Sequence, residues 1–333
     1  PKALPWAMEF IGLSARPSEI RNFSKDYKVA EASSKLINER KALLNLLNYA
    51  LALAQSAFTM ETTQEPSVPP SPKEKGIKIT VATVTWNAGD LIARTIHSVE
   101  TQTYGRVEHL IIDGNSHDNT LEHVHHYQER NSRAAVRHEI VCISEPDHGL
   151  YDAMNKAIDM ATGRYILFLN AGDTFHSPDT LSVIAHEAEA SSVLPAVIYG
   201  DTHLVDGDGR FLRTRRLAPP EHLNWRSFRD GMLVCHQAFF ARTDLARLFH
   251  YDLRYRFSAD FDWCIRIMRE AEREGLPLVN AHTVVADYLS EGMTTRHHKA
   301  SLRERFRIMK HHYGLLTTLV QHAWFVVRSV TKK

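Results

Sequence analysis

The sequence predicts an α/β fold built on a mostly parallel sheet flanked by helices, and three observations predict it. Short apolar runs alternate with segments of helical periodicity from residue 77 onward, the pattern of consecutive βαβ units. The runs are nearly continuous in apolar character rather than alternating, as strands covered on both faces should be. Polar and acidic residues follow the runs directly, at Thr85–Asn87, Asp113–Asn115, Glu145–Asp147 and Asn170–Asp173. In an open parallel sheet, ligands bind at these carboxyl ends of the strands.

Each element has its own justification. Leu36, Leu43, Leu47, Ala50, Leu51, Ala54 and Phe58 recur at helical spacing, with Lys35, Glu39, Asn45 and Asn48 off the stripe. A helical N-terminal extension over residues 1–60 is therefore expected, its apolar face docked within the protein or in a dimer. Glu61–Gly76 carries four prolines among Ser, Thr and charged residues and reads as an extended, solvated linker. Ile77–Thr85, Val107–Asp113, Glu139–Ser144 and Arg164–Leu169 are the first four strands. Helices are expected over Asp90–Gln102, from about Asn119, and over Leu150–Ala161.

Farther on, Val197–Gly200 and Val234–Phe240 read as strands, and residues 204–216 as a hairpin turning at Asp-Gly pairs. Ser258–Glu274 reads as a helix with Ser258 as N-cap and Phe261, Ile265, Met268 and Ala271 on its apolar face.

Composition excludes several classes. With 40 Lys and Arg against 39 Asp and Glu, the chain is not a bulk polyanion binder, and no nucleic-acid partner is expected. Cys142, Cys235 and Cys264 are scattered through apolar segments. They have neither zinc-site spacing nor an even disulfide framework, which suits a reducing cytoplasm. No secretory signal is evident, and Ala42–Ala54 and Leu315–Val327 are too short and polar to span a bilayer. The first strand is not followed by G-x-G-x-x-G, which argues against a dinucleotide oxidoreductase. It also lacks the glycine-rich basic loop of a nucleotidyltransferase.

Four segments in order, TVATVTWNAGD, HLIIDGNSHDNT, EPDHGLYDAMNKAIDMATGRYILFLNAGDTF and HQAFFAR followed by SADFDWCIRI, resemble family 2 glycosyltransferases with the GT-A fold. The similarity covers about Lys78 to Glu274 and looks closest to the bacterial exopolysaccharide branch, including colanic-acid-type enzymes. It implies a GT-A domain over 77–290 and inverting transfer of a sugar from a nucleotide-sugar donor, assisted by Mn²⁺ or Mg²⁺. The acceptor would be a glycan or a lipid-linked molecule in surface polysaccharide or glycolipid synthesis.

By carry-over, Thr83, Thr85 and Asn87 meet the nucleotide, and Asp113 holds its base or ribose. Asn170–Asp173 corresponds to the Asp-x-Asp region, and Asp260 to the catalytic base. The residues themselves leave alternatives. Asp113 ends a buried strand, which favours a role in binding, whereas Asp118 reads as a helix N-cap. Lys156 is placed to reach a diphosphate or to pair with Asp152 one turn earlier. His236 suits either an acceptor pocket or a structural role.

This chain departs from the family pattern at Asn170 and Gly172, which leaves Asp173 as the one carboxylate for metal, and at Ala259, where a Glu often precedes the base. The weakened acidic motif is what would support a different reading, a nucleotide-sugar-binding scaffold acting through its N-terminal helix. Residues 291–333 read as C-terminal helices. Basic 295–314 followed by the apolar stretch from Leu315 suits either the cytoplasmic face of the inner membrane or a contact within the protein or a homo-oligomer.

Overall fold

Four parallel strands form the first half of the sheet, in the order β3-β2-β1-β4: β1 (Ile79–Thr85), β2 (Val107–Asp113), β3 (Glu139–Ser144) and β4 (Tyr165–Phe168). Helices α1 (Gly89–Glu100), α2 (Thr120–Arg133) and α3 (Leu150–Met160) make the crossovers. The structure is a computed structural model that describes residues 76–290 and 298–331, all within one compact unit, Glu74–Lys333. The expected N-terminal helix and, apart from Gly76, the proline-rich linker lie outside the described residues.

Registry puts Thr85 opposite Asp113, and Asp113 opposite Ser144. One row of polar residues therefore closes the carboxyl edge of three adjacent strands. Successive side chains take opposite faces. Ala82 and Val84 pack with Met154, Ile158, Phe168 and Trp263 on one side. Ile79 and Val81 pack with Val99, Leu167 and Ile184 on the other.

Beyond β4 the sheet is mixed. It continues β8 (Phe239–Arg242), β6 (Val197–Val205), β9 (Leu278–Leu289) and the two-residue β5 (Thr174–Phe175), with β7 (Phe211–Thr214) hairpinned onto β6. β8 is antiparallel to both β4 and β6, β6 and β9 are parallel, and β5 runs against β9. Helices α4 (Thr180–Ala190), α5 (Thr243–Leu248) and α6 (Ala259–Glu274) complete this half.

Two expectations need correction here. The strand expected over Val234–Phe240 begins only at Phe239, because His236–Ala238 form a 3-10 turn closed by Ala238 N–H to Cys235 O at 2.9 Å. The expected strand Val197–Gly200 runs on to Val205, paired with β9, a strand the sequence did not signal.

The C-terminal helices α7 (His298–Tyr313) and α8 (Leu315–Thr331) follow. Ser258 stands at the N-cap position of α6 but makes no capping bond; its hydroxyl pairs with Ser301 Oγ of α7 at 2.9 Å. Glu304 accepts the amides of Arg256 and Phe257 at 2.9 and 2.8 Å. Asp262 joins Arg266 Nε at 2.6 Å and His312 Nε2 at 2.7 Å, so it serves as a buried strut between α6 and α7. Three separate contacts thus fix α7 against the start of α6.

Candidate active site

The row at the ends of β1, β2 and β3 is a rigid turn. Asp113 is fully buried, and its carboxylate accepts from Ser116 N–H at 2.9 Å, Ser144 Oγ at 2.6 Å and the Ser116 hydroxyl. Asn87 takes a left-handed conformation, φ +46°, which asparagine tolerates better than most residues. Its amide donates to Ser116 Oγ at 2.7 Å, and its Oδ1 accepts from His117 N–H at 2.9 Å. Asp118 accepts from Gly89 N–H and Thr120 N–H, both at 3.0 Å, and so ties the starts of α1 and α2 together.

Thr83 stands apart from this surface. It is buried, with its hydroxyl committed to His109 Nε2 and Leu169 O, both at 2.9 Å. Thr85, two residues on, has a buried Oγ1 with no hydrogen-bond partner. Lys156 pairs with Glu145 at 2.7 Å and donates to Pro146 O at 3.1 Å, rather than bonding Asp152.

The second cluster is assembled from distant parts of the chain. Asn170 follows β4, His236 opens the 3-10 turn before β8, Asp260 lies in the first turn of α6, and Tyr151 lies in the first turn of α3. Asn170 Nδ2 lies 3.2 Å from His236 Nε2, and His236 Nδ1 lies 3.4 Å from Asp260 Oδ2. An amide NH₂ facing Nε2 makes that nitrogen the acceptor, so in neutral His236 the proton is on Nδ1, toward Asp260. Tyr151 donates to Asp260 Oδ1 at 3.1 Å. Tyr151 stacks on Tyr251, and Tyr251 stacks on Trp263, which fixes where the phenol points.

Burial pushes the Asp260 carboxyl up, but its hydrogen bond and electrostatic attraction to His236, together with the charge of Arg305, outweigh it and hold the group below its ordinary range. Burial and the adjacent Asp260 raise Tyr151 well above its ordinary value, so it remains a donor. Asp260 is thus an ionised carboxylate with both oxygens oriented.

Asp173 occupies a different environment. It is 4% exposed, with Oδ2 accepting from Gln237 Nε2 at 2.8 Å and Oδ1 from Leu289 N–H at 3.0 Å. Burial raises it to about 6 against those two bonds. It is not a helix cap, since α4 has Asp179 at its N-cap position.

Gly172 sits at φ +102°, and a Cβ there would stand 3.2 Å from Leu289 Cδ2. An aspartate at 172 would strain this turn, which accounts for the departure from an Asp-x-Asp pattern. The remaining groups do fit a hard divalent cation. Asn170 Oδ1 is buried without a partner. The Asp173 carboxylate has about four acceptor positions, and the two bonds above leave others free. Both supply the oxygen ligands that Mg²⁺ and Mn²⁺ take.

Sequence reasoning missed three neighbours of these clusters. Trp86 directly follows β1 with 67% of its surface exposed. A Cβ on Gly114 would lie 2.7 Å from Asp147 Oδ2 and 3.4 Å from the Trp86 ring, so Trp86 and Asp147 flank the same glycine. Tyr151 was within a quoted motif, yet only the fold brings it to Asp260. Arg305, taken with the basic C-terminal segment, lies over the Phe261 ring with a buried, unpartnered Nε. A tryptophan directly after the first apolar run was the one signal available in advance.

A family model, Glycosyl transferase family 2, matches residues 80–249, just over half of the chain. A PGL/p-HBAD biosynthesis glycosyltransferase of Mycobacterium bovis is 32% identical over 208 residues, covering 61% of this chain and 73% of the relative. The amylovoran biosynthesis glycosyltransferase AmsB of Erwinia amylovora is 28% identical over 221 residues, covering 64% and 70%. Among solved structures, S. aureus TarS in complex with UDP-GlcNAc superposes with a TM-score of 0.56 at 16% identity. That match covers 70% of this chain and 65% of the TarS 1–349 chain, a little under two thirds, and at this identity it supports the fold alone. With the family model spanning more than half of its length, the chain belongs to glycosyl transferase family 2.

Proposed function

We propose that the protein is an inverting glycosyltransferase that moves a sugar from a nucleotide-sugar donor to a glycan or lipid-linked acceptor in surface polysaccharide or glycolipid synthesis. The observation that carries this reading is Asp260. It is an ionised carboxylate at the sheet's carboxyl edge, oriented from one side by His236 and from the other by Tyr151. Inverting transfer needs such a base to take the proton of the acceptor hydroxyl as that oxygen attacks the anomeric carbon. The nucleoside diphosphate leaves from the opposite face of the sugar. His236 holds the carboxylate's aim and faces the acceptor side; Tyr151 stays protonated and donates to it.

The donor's nucleotide lies along the first three strand ends. Trp86 supplies a flat apolar face for the base, Asn87 and the unpartnered Thr85 hydroxyl face its sugar, and Asp113 acts from beneath by fixing the turn. Lys156 is held near this edge by Glu145 and adds positive charge for the diphosphate. A divalent ion, Mn²⁺ or Mg²⁺, would be held by Asp173 and Asn170 Oδ1, its shell completed by donor and water. When bound, it supplies charge neutralisation on the leaving diphosphate. The relatives named for PGL/p-HBAD and amylovoran biosynthesis favour a lipid-linked or polysaccharide acceptor.

The exposed face of α8 supports a membrane-surface location. Leu315, Leu316, Leu319, Val320, Trp324 and Val327 are all exposed along it, beside the exposed basic residues Lys299, Arg303, Arg307 and Lys310 of α7. No described helix is long and apolar enough to cross a membrane. An apolar strip beside a cationic one suits an anionic lipid surface.

Screening nucleotide sugars for binding, hydrolysis and transfer tests the enzymatic reading. The expected result is one donor turned over in the presence of Mn²⁺ or Mg²⁺. Donor binding without hydrolysis or transfer would favour the nucleotide-sugar-binding scaffold instead.

A further inference from the structure

A second cluster lies away from the strand-end site. β5, β9 and β6 run side by side, with Thr174 opposite Asp287 and Asp287 opposite His203. His176 follows β5 and is held to β9 by its amide, which donates to Val285 O at 3.0 Å. Two imidazoles and a carboxylate therefore meet. His176 Nδ1 lies 3.0 Å from Asp287 Oδ1, and His203 Nδ1 lies 3.8 Å from the same oxygen. Their ligand atoms all lie within 4.8 Å of one another.

We propose that His176, His203 and Asp287 form a site for a divalent transition-metal ion of the zinc class, with water completing the coordination. Bonds of about 2.0–2.2 Å to a tetrahedral ion set donor atoms roughly 3.3–3.6 Å apart, and the two distances to Asp287 bracket that spacing. Hydrogen bonding alone does not account for the arrangement. At 3.8 Å His203 is too far to bond Asp287, yet it presents the same ring nitrogen to the same oxygen as His176 does. A set with two imidazoles selects zinc-like ions over Mg²⁺, Mn²⁺ or Ca²⁺, which take oxygen. This separates it from the oxygen-only set at Asn170 and Asp173.

The surroundings suit an ion that is held but open on one side. The Phe211 ring stands edge-on to His203, with centroids 4.8 Å apart. The His176 side chain is 40% exposed and borders an open cleft of about 570 Å³ that is also lined by Asp90, Arg94, His97 and Asp208. The ion would clamp β5 to β9 and β6. β5 directly follows Asp173, and Leu289 of β9 donates to that carboxylate. Metal at this cluster thus braces the Asp173 turn from outside.

Chelator-stripped protein, freed of any affinity tag, is titrated with Co²⁺ and then Zn²⁺. The expected result is one Co²⁺ per chain with tetrahedral visible absorption, displaced by Zn²⁺ but not by Mg²⁺, and a thermal midpoint raised by Zn²⁺. His203→Gln and Asp287→Asn should weaken Co²⁺ binding by about 100-fold or more, whereas Asp173→Asn and Asp260→Asn should bind Co²⁺ as the wild type does. Far-UV circular dichroism establishes that each variant is folded. If His203→Gln is not, His176→Gln at the exposed edge carries the test. Absence of Co²⁺ absorption in the wild type, or unchanged affinity in the folded cluster variants, overturns the proposal.

Discussion

The two strand-end clusters differ in how completely they are satisfied. At β1, β2 and β3, the Thr85 hydroxyl is the one group of the row left without a partner; Asp113 is sealed by Ser116 and Ser144, and Asn87 is bonded at both amide and side chain. At β4 and α6, Asp260, His236 and Asn170 form an open chain that ends on an unpartnered Asn170 oxygen, with the unpartnered Arg305 Nε close enough for its charge to act on Asp260. The first cluster is built from residues close in sequence and sets a shape. The second joins residues up to 109 positions apart and keeps polar groups in reserve. A fully bonded carboxylate positions other groups, whereas one with spare capacity is where chemistry is expected.

Substitutions test this division. Outside Asp260 itself, the largest effect on turnover is expected from His236→Ala, which removes an orienting partner of Asp260. The loss of one charge-assisted contact of about 1.5–3 kcal/mol should lower kcat roughly 10- to 100-fold, with donor affinity little changed. Asp113→Ala should behave in the opposite way. It leaves the Ser116 amide and two hydroxyls unpartnered, so stability should fall by about 1–3 kcal/mol and donor affinity should weaken while kcat changes less. If Asp113→Ala instead abolished kcat in a folded protein with normal donor binding, the division would fail.

Asp173 sharpens the comparison through pH. Its carboxyl is raised to about 6 in the folded protein from an ordinary value near 3.9, so the folded state binds the proton more tightly. The group's contribution to stability is therefore largest below pH 4 and is lost as pH rises to about 6, a change of roughly 3 kcal/mol. Denaturant titrations across pH 4–7 should show this component in the wild type and not in Asp173→Asn. Bound metal would oppose it, so the measurement belongs in chelator.

Much of the first half could be read from the sequence. β2 and β3 match their expected limits to the residue, because short strand-forming runs between polar turns leave little choice of boundary. The second half was harder. β9 is only partly buried and carries His282 at φ +49° with register shifts opposite Asp201, so its periodicity is broken. His236 and Gln237 looked like strand residues because their neighbours are apolar; the turn that aims them at Asn170 and Asp173 depends on partners far away in the chain. Helical spacing offered Lys156 only Asp152 as a protein partner, and the loop residue Glu145 was outside that pattern. Family resemblance singled out Asp260 as a candidate base, but it did not reach the groups that orient it, since no local spacing relates Tyr151 to residue 260.

The most direct test of the account is Asp260→Asn, with donor affinity and sugar transfer measured on the same preparation. The side chain keeps its size and can still accept a hydrogen bond from Tyr151, but it cannot take a proton. Transfer should fall by about 10²–10⁴-fold while the nucleotide-sugar donor binds within a few-fold of wild-type affinity. Transfer at the wild-type rate would contradict Asp260 as the base, and loss of donor binding in parallel with transfer would move it from chemistry to donor recognition.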